Sequence, residues 1–273
     1  FLIFYMKNLV ISRKGFDSTA GGRASPILET GEIFSVPIPQ KKQSPFRYSD
    51  LRFNDLAGQD ILNLIGAKSI SEKDFCHVDP LFSKKNGIFG QAGGAQGELD
   101  NYGIERGDLF LFFGWFRRYH LRGPDLHHLF GWLQVDKIIK GNNEILNFLS
   151  EEGLSHPHGT KDITQYKNNT IYVASKNLTF SNRVRDLKGH GRFKKTAQEL
   201  VLTEKDETRS RWRFPQEYFS DTRNLFRNRL KWKDRKNCVV NCRGIGQEFI
   251  LNAHDNPSVI DWASHLINMY GRD

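Results

Sequence analysis

Two aromatic runs constrain this chain more than any other feature. LFLFFGWF starts at Leu109, directly after Gly107-Asp108, and DLHHLFGWLQVDKII spans Asp125 to Ile139. Their longest unbroken apolar stretch, Leu109 to Phe113, is five residues, far below the ~20 needed to cross a membrane. Aromatic and aliphatic runs of this kind read as strands, and Gly123-Pro124 between them reads as the connection of a hairpin. Most of these side chains are therefore expected in the core. Each run has a glycine just before its Trp (Gly114, Gly131), which predicts a bulge or a place where another group meets the backbone. His120, His127 and His128 fall at the strand ends, as surface residues or the wall of a pocket.

The rest of the chain alternates short strands and helices. Strands are expected over 7–12, 33–38 (an edge strand, since Pro37 cannot donate to a ladder), 170–175, 237–241 and 247–251. Helices are expected over 55–65, 142–152 and 257–270, with a further helix capped by Ser220-Asp221 and running through Trp232. The expectation is an α+β fold: a mixed β-sheet core with helices over residues 6–180, and a basic C-terminal helical lobe over 181–273. The two parts would pack as one continuous unit. At 273 residues a chain buries roughly three quarters of its surface, so neither disulfide nor metal is needed to hold it. Three Cys point to a reducing compartment and a cytoplasmic protein. Met6 reads as the natural start; Phe1 to Tyr5 are too few for a signal-peptide core.

Charge points to the partner. Forty Lys and Arg against 31 acids leave +9, and residues 183–236 alone, with 17 bases and 8 acids, carry that same excess. A basic surface in a chain 12% aromatic favours a polyanion, and double-stranded DNA carrying modified bases is the expected partner.

Four groups of residues are candidates for chemistry. The loop SRKGFDS after the first strand places Asp17 among Arg13, Lys14 and Arg23; Gly21-Gly22 allows close approach of a phosphate or sugar. The alternative is a turn with solvated charges. In HVDP, His77 and Asp79 share one side of an extended segment, as an acid/base pair, as two metal ligands, or as a turn before Pro80. The stretch from Gly87 to Gly97, with five glycines in eleven residues, reads as an anion-cradling loop or a flexible turn, and its Gln91 and Gln96 as readers of a base edge. It lacks G-x-G-x-x-G, so no dinucleotide site is expected. His156, His158, His190 and Arg192 are loop residues placed to touch a substrate. A zinc site from Cys238 and Cys242 with Cys76 or His254 lacks any paired C-x₂-C, and the deaminase pattern H-x-E…P-C-x-x-C is absent. No metal and no cofactor is expected.

The strings SRKGFDSTAGGRASPI, HVDPLF, FGQAGGAQGELDNYGIERGDLFLFFGWFR and LHHLFGWLQV resemble the nucleotide-modification-associated domain family, type 3, over most of residues 7–180. The resemblance implies proteins encoded beside enzymes that make or handle modified DNA bases. The chain is also similar to anti-phage DNA glycosylases that excise glucosylated hydroxymethylcytosine. With the residues above, this gives a hydrolase that flips a modified base from phage DNA and excises it in antiviral defence. Asp17 is the first and Asp79 the second catalytic carboxylate. Ser12, His77, Gln91, Gln96, Trp115 and Trp132 would bind the base. Arg13, Lys14, Gly21, Gly22, Arg192, Lys194, Arg227 and Arg229 would hold phosphate. A module that only binds modified DNA, and a base-modifying transferase, are the alternatives.

Overall fold

The computed structural model describes residues 6–160, 167–244 and 246–272; Phe1 to Tyr5 lie outside them. The two aromatic runs form the centre of a mixed, nine-stranded sheet among these residues. Its strands are β1 (Asn8–Arg13), β2 (Ser25–Pro26), β3 (Leu81–Phe82), β4 (Gly87–Gln91), β5 (Leu109–Arg117), β6 (Leu126–Lys140), β7 (Thr170–Ala174), β8 (His190–Arg192) and β9 (Glu248–Asn252). The order is β9-β1-β5-β6-β7-β4-β3, with β2 also pairing β5 and β8 also pairing β6. β1 and β5 are parallel, Leu9 opposite Leu109, whereas β5 and β6 form the antiparallel hairpin. Over residues 109–114 of β5 and 127–135 of β6 the central strands are buried on both faces, so they are largely apolar without alternation.

The register of β5 against β6 shifts between Leu129 and Gly131. A Cβ at Gly131 would lie 2.7 Å from the Gly191 carbonyl oxygen and 2.9 Å from the Phe82 ring. The glycine thus marks a bulge over which β8 and β3 close down.

The sheet curls. Phe89 of β4 packs 4.9 Å from Phe110 and 5.2 Å from Phe112 of β5, ring centre to ring centre, although β6 and β7 separate these strands in the ladder. The curl brings the end of β4 to the end of β1. Three apolar clusters result: one within the curl and under the C-terminal third, one around Tyr48 and Cys76, and one where α3 (Asn142–Glu151) covers Ile88, Ile171 and Val173. The remaining helices are α1 (Gly58–Leu64), α2 (Gly93–Asn101), α4 (Gln216–Phe219) and α5 (Pro257–Tyr270).

Two local expectations are corrected. The glycine-rich stretch is not a loop: it is strand β4 followed by helix α2. Gln96 and Leu99 anchor the helix by burial, which outweighs the helix-weakening glycines. The segment from Ser220 through Trp232 is not a helix. Its backbone groups are taken by β9, with Arg227 N–H donating to the Ile250 carbonyl and Asn252 N–H to that of Leu225, and Asn224 turns the chain at φ 45°. The C-terminal third combines α5 with a three-stranded sheet over 211–213, 232–234 and 239–241, and it supplies β9 to the main sheet.

Candidate functional site

Asp79 is the centre. Its side chain is 3% exposed. It follows the short strand Phe75–His77, which pairs with Ile38–Gln40. Gly90 of β4 donates its N–H to Asp79 Oδ1 at 2.9 Å. Three imidazoles surround the carboxylate: His156 Nε2 stands 3.4 Å from Oδ1, and His77 Nε2 and His158 Nε2 stand 3.8 and 3.9 Å from Oδ2. His156 and His158 come from the short turn after α3. His158 fits against β4 only because residue 90 is glycine; a Cβ there would meet the His158 ring at 2.3 Å.

Burial by itself would raise the Asp79 carboxyl, but the imidazoles of His156, His77 and His158 hold it well below the ordinary carboxylate range. Burial pushes His158 down to about 3, against the pull of Asp79. The centre therefore combines a fixed anion with a neutral imidazole at neutral pH.

Beside it lies a second buried anion, Glu248 at the start of β9, fully enclosed. Its Oε1 accepts from Gln91 Nε2 at 2.7 Å and Ser12 Oγ at 3.1 Å, and pairs with Lys14 Nζ at 3.3 Å. The Lys14 ammonium also sits 4.4 Å from the centre of the Phe89 ring. Glu248 Oε2 and Arg13 Nε are buried without a hydrogen-bond partner.

Two cavities meet at Asp79. One, of about 130 Å³, has Arg13, Lys14, Asp17, His77, Gln91 and His158 in its wall. The other, of about 230 Å³, is aromatic, with Phe34, Phe46, Phe53, Phe82 and Phe130, and Arg192 at its side. Gly15 and Asp79 line both. Phe34 and Phe53 are stacked with ring centres 3.8 Å apart.

The structure thus brings Arg13, Lys14, Asp17, His77, Asp79 and Gln91 to one cavity. Asp17, at its edge, spends Oδ1 on its own turn, accepting from Thr19 N–H, Thr19 Oγ1 and Ala20 N–H at 2.7–2.8 Å. Ser12 is buried beneath Glu248. Two expectations are corrected. Gln96 does not face the cavity; it is enclosed and bonded to Tyr172 and Asp100, because its segment is helical. Trp132 is no base platform: it is buried against Phe193, with Nε1 donating to the Lys188 carbonyl. Trp115 donates to Asp125 and lies under Arg209, at 4.0 Å. Gly21 and Gly22 line a shallower cavity with Lys41, Arg47 and Lys73. Lys194 and Arg229 are exposed, and Arg227 bonds Asn252.

Sequence reading missed Glu248, Gly90 as the seat of His158, and the phenylalanine cavity. The His156-Pro157-His158 loop was the one available signal for the third imidazole. Among the described residues, His77, Asp79 and His158 are the one set of side chains placed to share a metal ion. Cys76 sits in a different apolar cluster from Cys238 and Cys242. No helix among the described residues is long and apolar enough to cross a membrane.

No curated protein and no solved structure matches the chain. A family described as nucleotide modification associated domain 3 matches residues 8–252, a span that contains every residue of the Asp79 site. The chain belongs to the nucleotide modification associated domain 3 family.

Proposed function

We propose that this chain is a hydrolase that excises a modified base from double-stranded DNA, with Asp79 rather than Asp17 as its central carboxylate. One observation carries the reading: a buried, ionised carboxylate forms the shared wall of an aromatic cavity and a cationic one. A flipped nucleotide needs that combination. Its base stacks among Phe34, Phe53 and Phe82, its sugar lies at Asp79, and its phosphate turns toward Arg13 and Lys14. Arg192 stands at the side of the aromatic cavity, where a polar adduct on the base would reach it.

Breaking the N-glycosidic bond builds positive charge on the deoxyribose, and the fixed negative charge of Asp79 offsets it. Water adds its oxygen to C1′ as the C1′–N bond breaks, and one water proton ends on the departing base nitrogen. The family's association with nucleotide modification supports a modified base as the target. The resemblance of the chain to anti-phage glycosylases is what suggests a role in defence against phage whose genomes carry such bases.

The experiment incubates the protein with DNA from phages of different base chemistry, glucosylated hydroxymethylcytosine included, and with plain DNA. Released base and abasic sites are measured. Release from one modified DNA and not from plain DNA is expected. Tight, selective binding with no release from any DNA would replace the enzyme with a recognition module.

A further inference from the structure

We infer that His77 Nε2, His158 Nε2 and Asp79 Oδ2 together bind one divalent first-row transition-metal ion. The inference concerns the same centre as the proposed base excision, but binding itself stands without that reaction.

The tautomers carry the argument. His158 Nδ1 lies 2.7 Å from Asn169 Oδ1, and the Asn169 amide nitrogen donates to Asn142 Oδ1 and the His158 carbonyl. That fixes the amide, so its oxygen accepts and His158 carries its proton on Nδ1. His77 is held in the same way. Its Nδ1 lies 3.0 Å from Gln40 Oε1, and the Gln40 amide nitrogen donates to the Gln43 carbonyl. With Nδ1 so engaged, each ring turns its Nε2 toward the same Asp79 oxygen.

At 3.8 and 3.9 Å neither nitrogen is within hydrogen-bond reach of Oδ2, and a metal ion fits the space between the three donors. Donors each ~2.1 Å from one ion lie at most ~4.2 Å apart, and the two nitrogen–oxygen distances fall within that reach. All three donor atoms lie within 4.8 Å of one another, so side-chain shifts of a few tenths of an ångström bring them to one ion. The two amides are the outer partners that orient ligand imidazoles and set their tautomer. His156 stands apart: its Nδ1 accepts from His158 N–H at 3.2 Å, so its Nε2 bears the proton and faces Asp79 Oδ1. Two imidazoles and one carboxylate suit zinc, iron(II), manganese or cobalt rather than calcium or magnesium. Such an ion, with coordination positions left open, would hold and activate a water, and that water rather than the bare Asp79 charge would then serve the proposed excision.

The test uses the full chain, purified without a metal-affinity tag, stripped with chelator and titrated with Co²⁺. Visible d–d absorption reports binding, and elemental analysis after Zn²⁺ loading and desalting reports stoichiometry. One saturable equivalent is expected. His158→Gln and His77→Gln should each weaken binding by at least ~100-fold, and Gln40→Ala and Asn169→Ala by about 10–100-fold. His254→Gln should leave it unchanged. Thermal unfolding checks each variant; should buried His158→Gln fail to fold, half-buried His77→Gln decides. Absence of saturable binding to the folded wild type, or undiminished binding by folded His77→Gln, overturns the inference. Metal binding without base release from any DNA removes the excision reading and leaves the site standing. Base release by protein that binds no metal does the reverse.

Discussion

At the scale of single residues, Glu248 shows how an enclosed charge positions a site. It has no water to turn to, so Ser12, Gln91 and Lys14 converge on one of its oxygens. Removing one partner of a buried pair leaves the other charge uncompensated, at about 3–5 kcal/mol. Glu248→Gln should therefore destabilise the fold strongly, because Lys14 is only 10% exposed. Lys14→Met added to that variant should recover part of the loss. A double-mutant cycle by urea unfolding measures this, and additive losses would show that the pair is not coupled. In the sequence Glu248 is only the polar start of a strand, and nothing local marks it. Its role depends on the curl that brings β4 to β9. His77 and Asp79 were legible as a same-side pair because alternation in an extended segment is a local property. Asp17 looked like a free carboxylate among cations, but the Thr19 and Ala20 donors that occupy it are equally local and were there to be read.

At the scale of elements, the strands and helices were largely legible. The aromatic hairpin, α3 and α5 follow from apolar runs and helical spacing within a residue or two. The β4–α2 unit was not, because glycine counts as a breaker in any local reading. Here burial of Gln96 and Leu99 decides the helix, and packing against His158 decides Gly90. Gly90→Ala should push the His158 ring aside, costing about 1–3 kcal/mol of stability while base release falls out of proportion to that cost. A melting temperature and a rate measured on the same variant separate the two effects. Strand β6 also carries an acid-sensitive pair. Burial pushes His127 down to about 3 and His128 to about 4, so both stay neutral in the fold when the unfolded chain protonates them below about 6.5. Their contribution is complete above that pH and is lost as pH falls toward 4. Stability should drop by up to about 1.4 kcal/mol per pH unit for each. Unfolding free energies between pH 7 and about pH 4.5 measure the slope, and His127→Gln with His128→Gln should flatten it.

At the scale of the whole molecule, charge and curl act together. The basic stretch is not confined to a face away from the cavities. Arg209 from it lies over Trp115 and bonds Ser18 in the loop that follows Arg13 of β1 and carries Asp17, so part of the positive field stands beside the cavities. Each phosphate neutralised adds about −0.9 to the slope of log affinity against log salt. Arg209→Ala should make the slope shallower by about one unit, and so should Arg229→Ala if DNA extends along the exposed stretch. Fluorescence anisotropy across a salt series reads both. An unchanged slope in both variants would place the duplex on another face. The concentration of charge was visible in the sequence. Its distribution around the site was not, because the C-terminal third returns to the sheet as β9 only after the intervening chain has wrapped the core.

The most direct measurement is single-turnover base release by Asp79→Asn beside Asp17→Asn, on whichever modified DNA the wild type cleaves. Asparagine keeps the shape at position 79 and removes the charge. Excision centred on Asp79 predicts a fall of at least ~100-fold, about 2.7 kcal/mol of barrier, with DNA binding retained. At position 17, where the side-chain oxygen serves a turn, the loss should stay within a few fold. A near-wild-type rate for Asp79→Asn, or a larger loss for Asp17→Asn, would contradict that assignment.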